Sequence, residues 1–123
     1  MAVSEAEAII MEVLWRSSPR SAEDILAEVG PQQGWQEGTV KSLLNRLLKK
    51  KAVKAERDRR RYLYAPRLTR EQYVSQESKG LLDRLFGGRV APLVAHFSEQ
   101  RKLSRKDIVE LKKLLQELDD EQS

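Results

Sequence analysis

The apolar residues of this chain change their spacing abruptly near Val53, and that change restricts the fold more than any other feature of the sequence. Up to Leu48 they recur every three or four residues, the repeat that lines one side of a helix; from Val53 to Ala65 they come closer to alternation, the repeat of a half-buried strand. Three helical stretches precede the switch. Ser4-Glu-Ala-Glu7 reads as a capping box, because a serine oxygen accepts from free backbone donors while the glutamate reaches back. Ala6, Ile9, Ile10, Val13 and Leu14 then share one face until Ser17-Ser-Pro19. Ser21-Ala-Glu-Asp24 opens a short second helix carrying Ile25, Leu26 and Val29, with Gly30-Pro31 as its expected stop. Val40, Leu43, Leu44, Leu47 and Leu48 define a third, running to about Lys50.

After the switch, Val53 to Arg57 and Arg61 to Ala65 flank a polar tip, Asp58-Arg-Arg60, and Pro66 closes the second arm of a hairpin. The rest returns to helical spacing. Thr69 can cap a helix with Tyr73, Leu81, Leu82, Leu85 and Phe86; Gly87-Gly88 breaks it; Val90 to Phe97 is a second apolar stretch; and Ser104-Arg-Lys-Asp107 opens a third, with Ile108, Leu111, Leu115 and Leu118 at steps of three and four. The last residues, Asp119 to Ser123, are expected to fray. The fold class expected is mainly α with a small β wing: a winged helix-turn-helix DNA-binding domain over residues 1–66, followed by a helical dimerisation domain over residues 67–123.

Composition removes several classes of function. The chain has 123 residues and no cysteine, which excludes disulfides, thiolate metal sites and cysteine nucleophiles, and a single histidine, His96, cannot build a metal site. No apolar run approaches the roughly 20 residues of a membrane span, and the N-terminus lacks a signal pattern, so a cytoplasmic location without membrane insertion is expected. The carboxylates fall at caps or on solvated faces, and neither a glycine-rich phosphate loop nor a local serine–histidine signature is present. No enzymatic activity, metal or cofactor is expected.

Charge is unevenly distributed. Residues 1–35 carry two basic and six acidic side chains, residues 36–61 carry ten basic and three acidic, and the chain after Pro66 is nearly balanced, eleven against ten. On the third helix the apolar stripe leaves Ser42, Asn45, Arg46 and Lys49 opposite, with Thr39 and Lys41 on the flanks. Such residues read base edges: arginine forks onto guanine, asparagine onto adenine, and lysine binds guanine or phosphate. Arg57, Arg59, Arg60 and Arg61 about the hairpin turn suit phosphate or the adjacent minor groove. A charge run alone is more often a solvated face. Here it coincides with the helix order and an arginine-tipped hairpin, which favours duplex DNA over the alternative of a protein-interaction module. In the second half, Tyr73, Leu81, Leu85, Leu93, Phe97 and Leu111 exceed what one chain of this size can readily cover, so a twofold dimer is expected, matched to an inverted-repeat operator.

Lys41-Ser-Leu-Leu-Asn-Arg-Leu-Leu-Lys-Lys50 and Arg60-Arg-Tyr-Leu-Tyr-Ala-Pro66, together with Glu7 to Trp15 and Thr39-Val40, resemble the penicillinase repressor (BlaI/MecI) family. Leu93 to Phe97 and Leu103 to Leu111 are similar to its C-terminal region. The resemblance implies a dimeric repressor of β-lactam resistance or related genes, bound to palindromic operators. It also implies inactivation through a membrane sensor-protease pathway that cleaves before a phenylalanine, here the His96–Phe97 bond; release by a small ligand is the alternative. The chain differs from the family pattern at several positions: Gln36-Glu-Gly38 replaces a serine cap, Lys51 replaces the glycine after the third helix, and His96 stands where the induced repressors carry asparagine. The cysteine-rich tail of copper-responsive relatives is missing.

Overall fold

The computed structural model describes residues 2–122. Its elements follow in the order α1 (Glu5–Arg16), β1 (Arg20–Ser21), α2 (Ala22–Gln33), α3 (Glu37–Lys49), β2 (Val53–Asp58), β3 (Arg61–Pro66), α4 (Arg70–Phe86), α5 (Val90–Glu99) and α6 (Arg105–Gln122). The starts of four helices are written in side-chain chemistry. Ser4 and Glu7 exchange hydrogen bonds with each other's backbone at α1, and Ser21 and Asp24 do the same at α2. Thr69 with Gln72 and Ser104 with Asp107 repeat the arrangement at α4 and α6. Each box satisfies two donors that a helix start leaves free.

Two expectations are corrected and one, the hairpin, is extended. First, α2 continues past Gly30-Pro31 to Gln33 and ends at Gly34, whose φ of 69° is left-handed. A proline disfavours the helical region for the residue before it partly by crowding that residue's Cβ, and Gly30 has none. Gly30 is also the position where a Cβ would lie 2.7 Å from Leu26 Cδ1 and 3.3 Å from the Trp35 carbonyl oxygen. Second, the hairpin is part of a three-stranded antiparallel sheet ordered β1-β3-β2, in which Arg20 pairs with Tyr64 and Ser21 with Leu63. Two residues are too few to display a period, so β1 leaves no trace in the sequence pattern. Third, Asp119 to Gln122 are carried within α6; Ser123 lies outside the described residues.

The chain divides into two compact units, one reaching to Ser75 and the other beginning at Gln76. The core of the first unit is made by Ile10, Met11, Val13 and Leu14 of α1, Ile25 and Val29 of α2, and Val40, Leu43, Leu44 and Leu47 of α3. Ala52, Val53 and Tyr64 close it from the side of the sheet. Trp15 ties the next segment to this body: its indole N–H donates to the Leu68 carbonyl at 2.9 Å, and its ring lies 5.5 Å from that of Tyr73. Arg70 reaches Glu12 at 3.4 Å. The second unit is different, since no residue of α4, α5 or α6 is buried.

The turn after α3 is held by two reverse hydrogen bonds, from the Lys51 N–H to the Leu48 carbonyl and from the Ala52 N–H to the Leu47 carbonyl. This is the paired C-terminal closure that prefers glycine at its left-handed residue. Lys51 occupies that residue with φ 61°. Its Cβ is strained there, and Lys51→Gly should therefore raise the unfolding free energy by about 1 kcal/mol. Urea denaturation of the variant should move the midpoint upward with an unchanged slope; a lower midpoint would show that the left-handed turn carries no strain.

Candidate nucleic-acid interface

α3 is fixed on one side and open on the other. Val40, Leu43, Leu44 and Leu47 are buried, whereas Thr39, Lys41, Ser42, Asn45, Arg46 and Lys49 are all exposed. The two sets alternate as a 3.6-residue repeat requires, so the same packing that anchors the helix turns this polar set outward. Its start is open too: the N-cap residue Gln36 makes no side-chain capping bond, as the missing serine implies.

The far end of α3 is tied to α1. Lys50 donates to the Glu7 carboxylate and, at 2.8 Å, to the Ala2 carbonyl. Glu7 is buried, with 1% of its surface exposed, and its Oε2 has no hydrogen-bond partner among the described residues. Burial pushes the Glu7 carboxyl up. The Lys50 hydrogen bond, the bonds with Ser4 and the Lys50 charge together outweigh that and hold it below the usual carboxylate value. Glu7 thus serves twice, as the partner of Ser4 in the α1 box and as the anchor for the end of α3. The sequence reading found only the first role, because the second joins residues 43 positions apart.

The wing supplies the second part. Asp58 faces Arg61 in the β2–β3 register, which leaves Arg59 and Arg60 as the turn, with Arg59 at φ 59°. The Arg57 guanidinium stacks 5.8 Å from the Tyr62 ring centre and donates to the Arg59 carbonyl at 3.0 Å. Arg61 lies 3.6 Å from Asp58. Among the described residues, Arg46, Lys49, Arg59 and Arg60 form no ion pair, so four cations remain uncompensated by the protein. A groove of about 310 Å³ runs between the first turns of α2 and α3 and the wing, lined among others by Glu37, Lys41, Arg60, Arg61 and Tyr62. The first turn of the basic helix and the wing therefore border a common space.

Glu37 Oε1 accepts from Lys41 Nζ at 2.8 Å, one helical turn apart. The hydrogen bond, with the charge of each partner behind it, lowers the carboxyl of Glu37 and raises the ammonium of Lys41. The spacing of four, at which such pairs form along a helix, is visible in the sequence.

The apolar residues expected at a dimer contact fall into two places. Leu93, Phe97 and Leu111 line one cavity of about 290 Å³ between α5 and α6, and Leu81 and Leu85 of α4 are exposed in the same unit. Tyr73 belongs to the first unit, against Trp15. The His96–Phe97 bond lies inside α5, where the His96 carbonyl accepts from the Gln100 N–H at 3.1 Å. Among the described residues, no three His, Cys, Asp or Glu side chains are grouped to hold a metal ion, and no helix is long and apolar enough to cross a membrane.

Three helices, the third with an outward basic face, and a hairpin beside it define a winged helix-turn-helix protein. Residues 3–117 match the family model described as "Penicillinase repressor". The chain belongs to the penicillinase repressor family. It is 30% identical to the penicillinase repressor of Bacillus licheniformis over 94% of this chain and 90% of that one. It is 28% identical to the methicillin resistance regulatory protein MecI of Staphylococcus aureus, with 92% of each chain covered. Its fold is similar to the solution structure of the DNA-binding domain of the repressor BlaI (TM-score 0.53, 28% identity), covering 58% of this chain and 87% of that one. It is also similar to the monomeric form of B. licheniformis BlaI in complex with the blaP half-operator (TM-score 0.52, 27% identity), covering 59% and 89%.

The Glu7–Lys50 tether sets a pH dependence whose sign differs between the wild type and a variant. In the wild type the native carboxyl is depressed, so its contribution is complete above the ordinary value of about 4.5 and is lost as pH falls through the native one. Lys50→Met leaves a buried carboxylate without its partner and should cost about 3 kcal/mol at pH 7. That variant should recover part of the loss as the pH is lowered toward 5, because the neutral carboxyl tolerates burial. Parallel stability profiles for the two proteins between pH 7 and 4 would rule out the tether.

Proposed function

We propose that this protein is a homodimeric transcriptional repressor that acts by binding operator DNA rather than by catalysis, with the first unit reading the duplex and the second pairing two copies. The observation that carries this reading is the common border of the basic helix and the wing: the exposed face of α3 and the arginines at the wing tip lie on one body, beside one groove. A helix of this diameter enters the major groove, and a wing beside it meets phosphate or the neighbouring minor groove. Asn45, Arg46 and Ser42, with Thr39 and Lys41 toward the start of the helix, have the donor and acceptor chemistry of base readers. Lys49, Arg59, Arg60 and Arg61 have that of phosphate contacts. The named relatives, a penicillinase repressor and a methicillin resistance regulatory protein, support resistance or related genes as the targets. DNA as partner puts the protein in the cytoplasm of a bacterial cell.

The exposed apolar side chains of the second unit support pairing. Leu85, Leu115 and Leu118 have 61%, 63% and 53% of their surfaces exposed, too much apolar area for three helices to leave in water without a partner. Leu93, Phe97 and Leu111 offer the concave part of such a contact. Twofold pairing then sets two α3 helices one duplex turn, or a multiple of it, apart. For release, cleavage at His96–Phe97 by a sensor-protease pathway requires α5 to unwind first, since proteases act on extended backbone and this bond is helical.

Two arginine variants separate the roles. Arg46→Ala should lower operator affinity about tenfold or more and relax preference at one operator position. Arg60→Ala should weaken all sequences alike and reduce the slope of log K against log salt by about one. Fluorescence anisotropy on specific and scrambled duplexes at several salt concentrations distinguishes them; indifference of both variants at every salt would favour a protein-binding role for the wing instead. Sedimentation should give a dimer for the wild type and a monomer for Leu115→Glu. A fragment ending at His96 should form in extracts of β-lactam-treated cells and not of untreated ones, and its absence points to another route of release, such as a small ligand.

A further inference from the structure

The Glu37–Lys41 pair is hard to reconcile with a surface built only to hold phosphate. A carboxylate in the first turn of a helix that approaches DNA repels the backbone it is meant to meet, and here it also occupies the nearest lysine. Both side chains are more than half exposed, at 57% for Glu37 and 58% for Lys41, so the contact is presented to solvent and not spent on the core. Position matters as well. Glu37 is the first residue of α3, and the first turns of a recognition helix are those that reach base edges.

We propose that Glu37 and Lys41 act together as a reader of one C·G base pair in each half-site, a role that rests on the DNA-binding reading above. The pair presents an acceptor and a cationic donor side by side, 2.8 Å apart. The major-groove edge of C·G presents the complement. Cytosine N4 offers an amino hydrogen, and beside it guanine O6 accepts, at the separation of one Watson–Crick hydrogen bond, about 2.9 Å. Guanine N7 follows as a second acceptor, so the Lys41 ammonium, with three donors, can engage O6 and N7 while the Glu37 carboxylate accepts from N4. An A·T edge alternates acceptor, donor and acceptor, which leaves the ammonium one acceptor instead of two adjacent ones. Because the pair is neutral as a unit, it adds sequence preference without adding to counterion release. The unpaired arginines and Lys49 supply that part separately.

Selection of bound sequences from a randomised duplex pool, performed with the full-length wild type, Glu37→Ala and Lys41→Ala, tests the assignment. Both sites are exposed, and melting curves check that the variants remain folded. The wild type should enrich a motif with a C·G pair at one position of each half-site, and both variants should lose preference at that same position, by about ten- to a hundredfold. Glu37→Ala should in addition steepen the salt dependence of binding by about one unit, because it frees Lys41 for phosphate. An unchanged motif in Glu37→Ala, loss at different positions in the two variants, or an A·T pair at the shared position would each overturn the paired reading while leaving DNA binding intact. A wild type that enriches no sequence would overturn both together.

Discussion

Everything on the outer face of α3 depends on its inner face being fully committed. Val40, Leu43, Leu44 and Leu47 are buried against α1, α2 and the sheet, and burial of such side chains contributes about 1.5–3 kcal/mol each. A rotation of the helix by even a third of a turn would expose part of that stripe and sink polar groups in its place. The orientation of Asn45, Arg46 and Lys49 is thus enforced by the core beneath them rather than by contacts of their own. The two ends add what burial does not. Lys50 fixes the helix end to α1 through Glu7, and the left-handed Lys51 redirects the chain at once into β2. That immediate reversal brings the hairpin back beside the helix and gives the wing its place.

Electrostatics on this surface divides into two kinds. Among the described residues, Arg46, Lys49, Arg59 and Arg60 have no anionic partner, so on the proposed reading their charges would be available to phosphates and would steer association over distances set by the ionic strength. Glu37–Lys41 and Asp58–Arg61 are already neutralised, and their exposed geometry is worth little to stability. Carboxylates beside a basic surface act against affinity for any polyanion. On the proposed reading they would discriminate, rejecting placements that bring phosphate or a wrong base edge against them and accepting one where a donor faces them.

How much of this could be read from the sequence follows from the range of each interaction. The capping boxes at Ser4, Ser21 and Ser104 and the cap at Thr69 are contacts over three residues, and the apolar stripes of α1 and α3 are periodic, so both were legible. The wing was legible because strand alternation and an arginine tip sit next to each other. What escaped was either very short or very distant. β1 is two residues whose strand character exists only through β3. The Glu7–Lys50 tether joins opposite ends of the three-helix body. The helical state of Pro31 depends on the missing Cβ of Gly30, a local cause that the stronger association of Gly-Pro with chain breaks concealed.

The second unit inverts the logic of the first. In the winged body, each amphipathic helix finds its complement within the chain, and thirteen apolar side chains form a closed core. In α4, α5 and α6 the same kind of stripe is present in the sequence, yet no residue reaches burial. Helices gain most of their stability from packing an apolar face, so a set that buries none of its residues fully is marginal by itself. A second copy would supply the missing surface and would order the unit at the same time as it pairs the readers. Folding of this half and dimerisation would then be one equilibrium, dependent on protein concentration. Under that coupling, unwinding α5 to expose the His96–Phe97 bond would also weaken pairing, so a cut there would lower operator affinity without touching the outer face of α3.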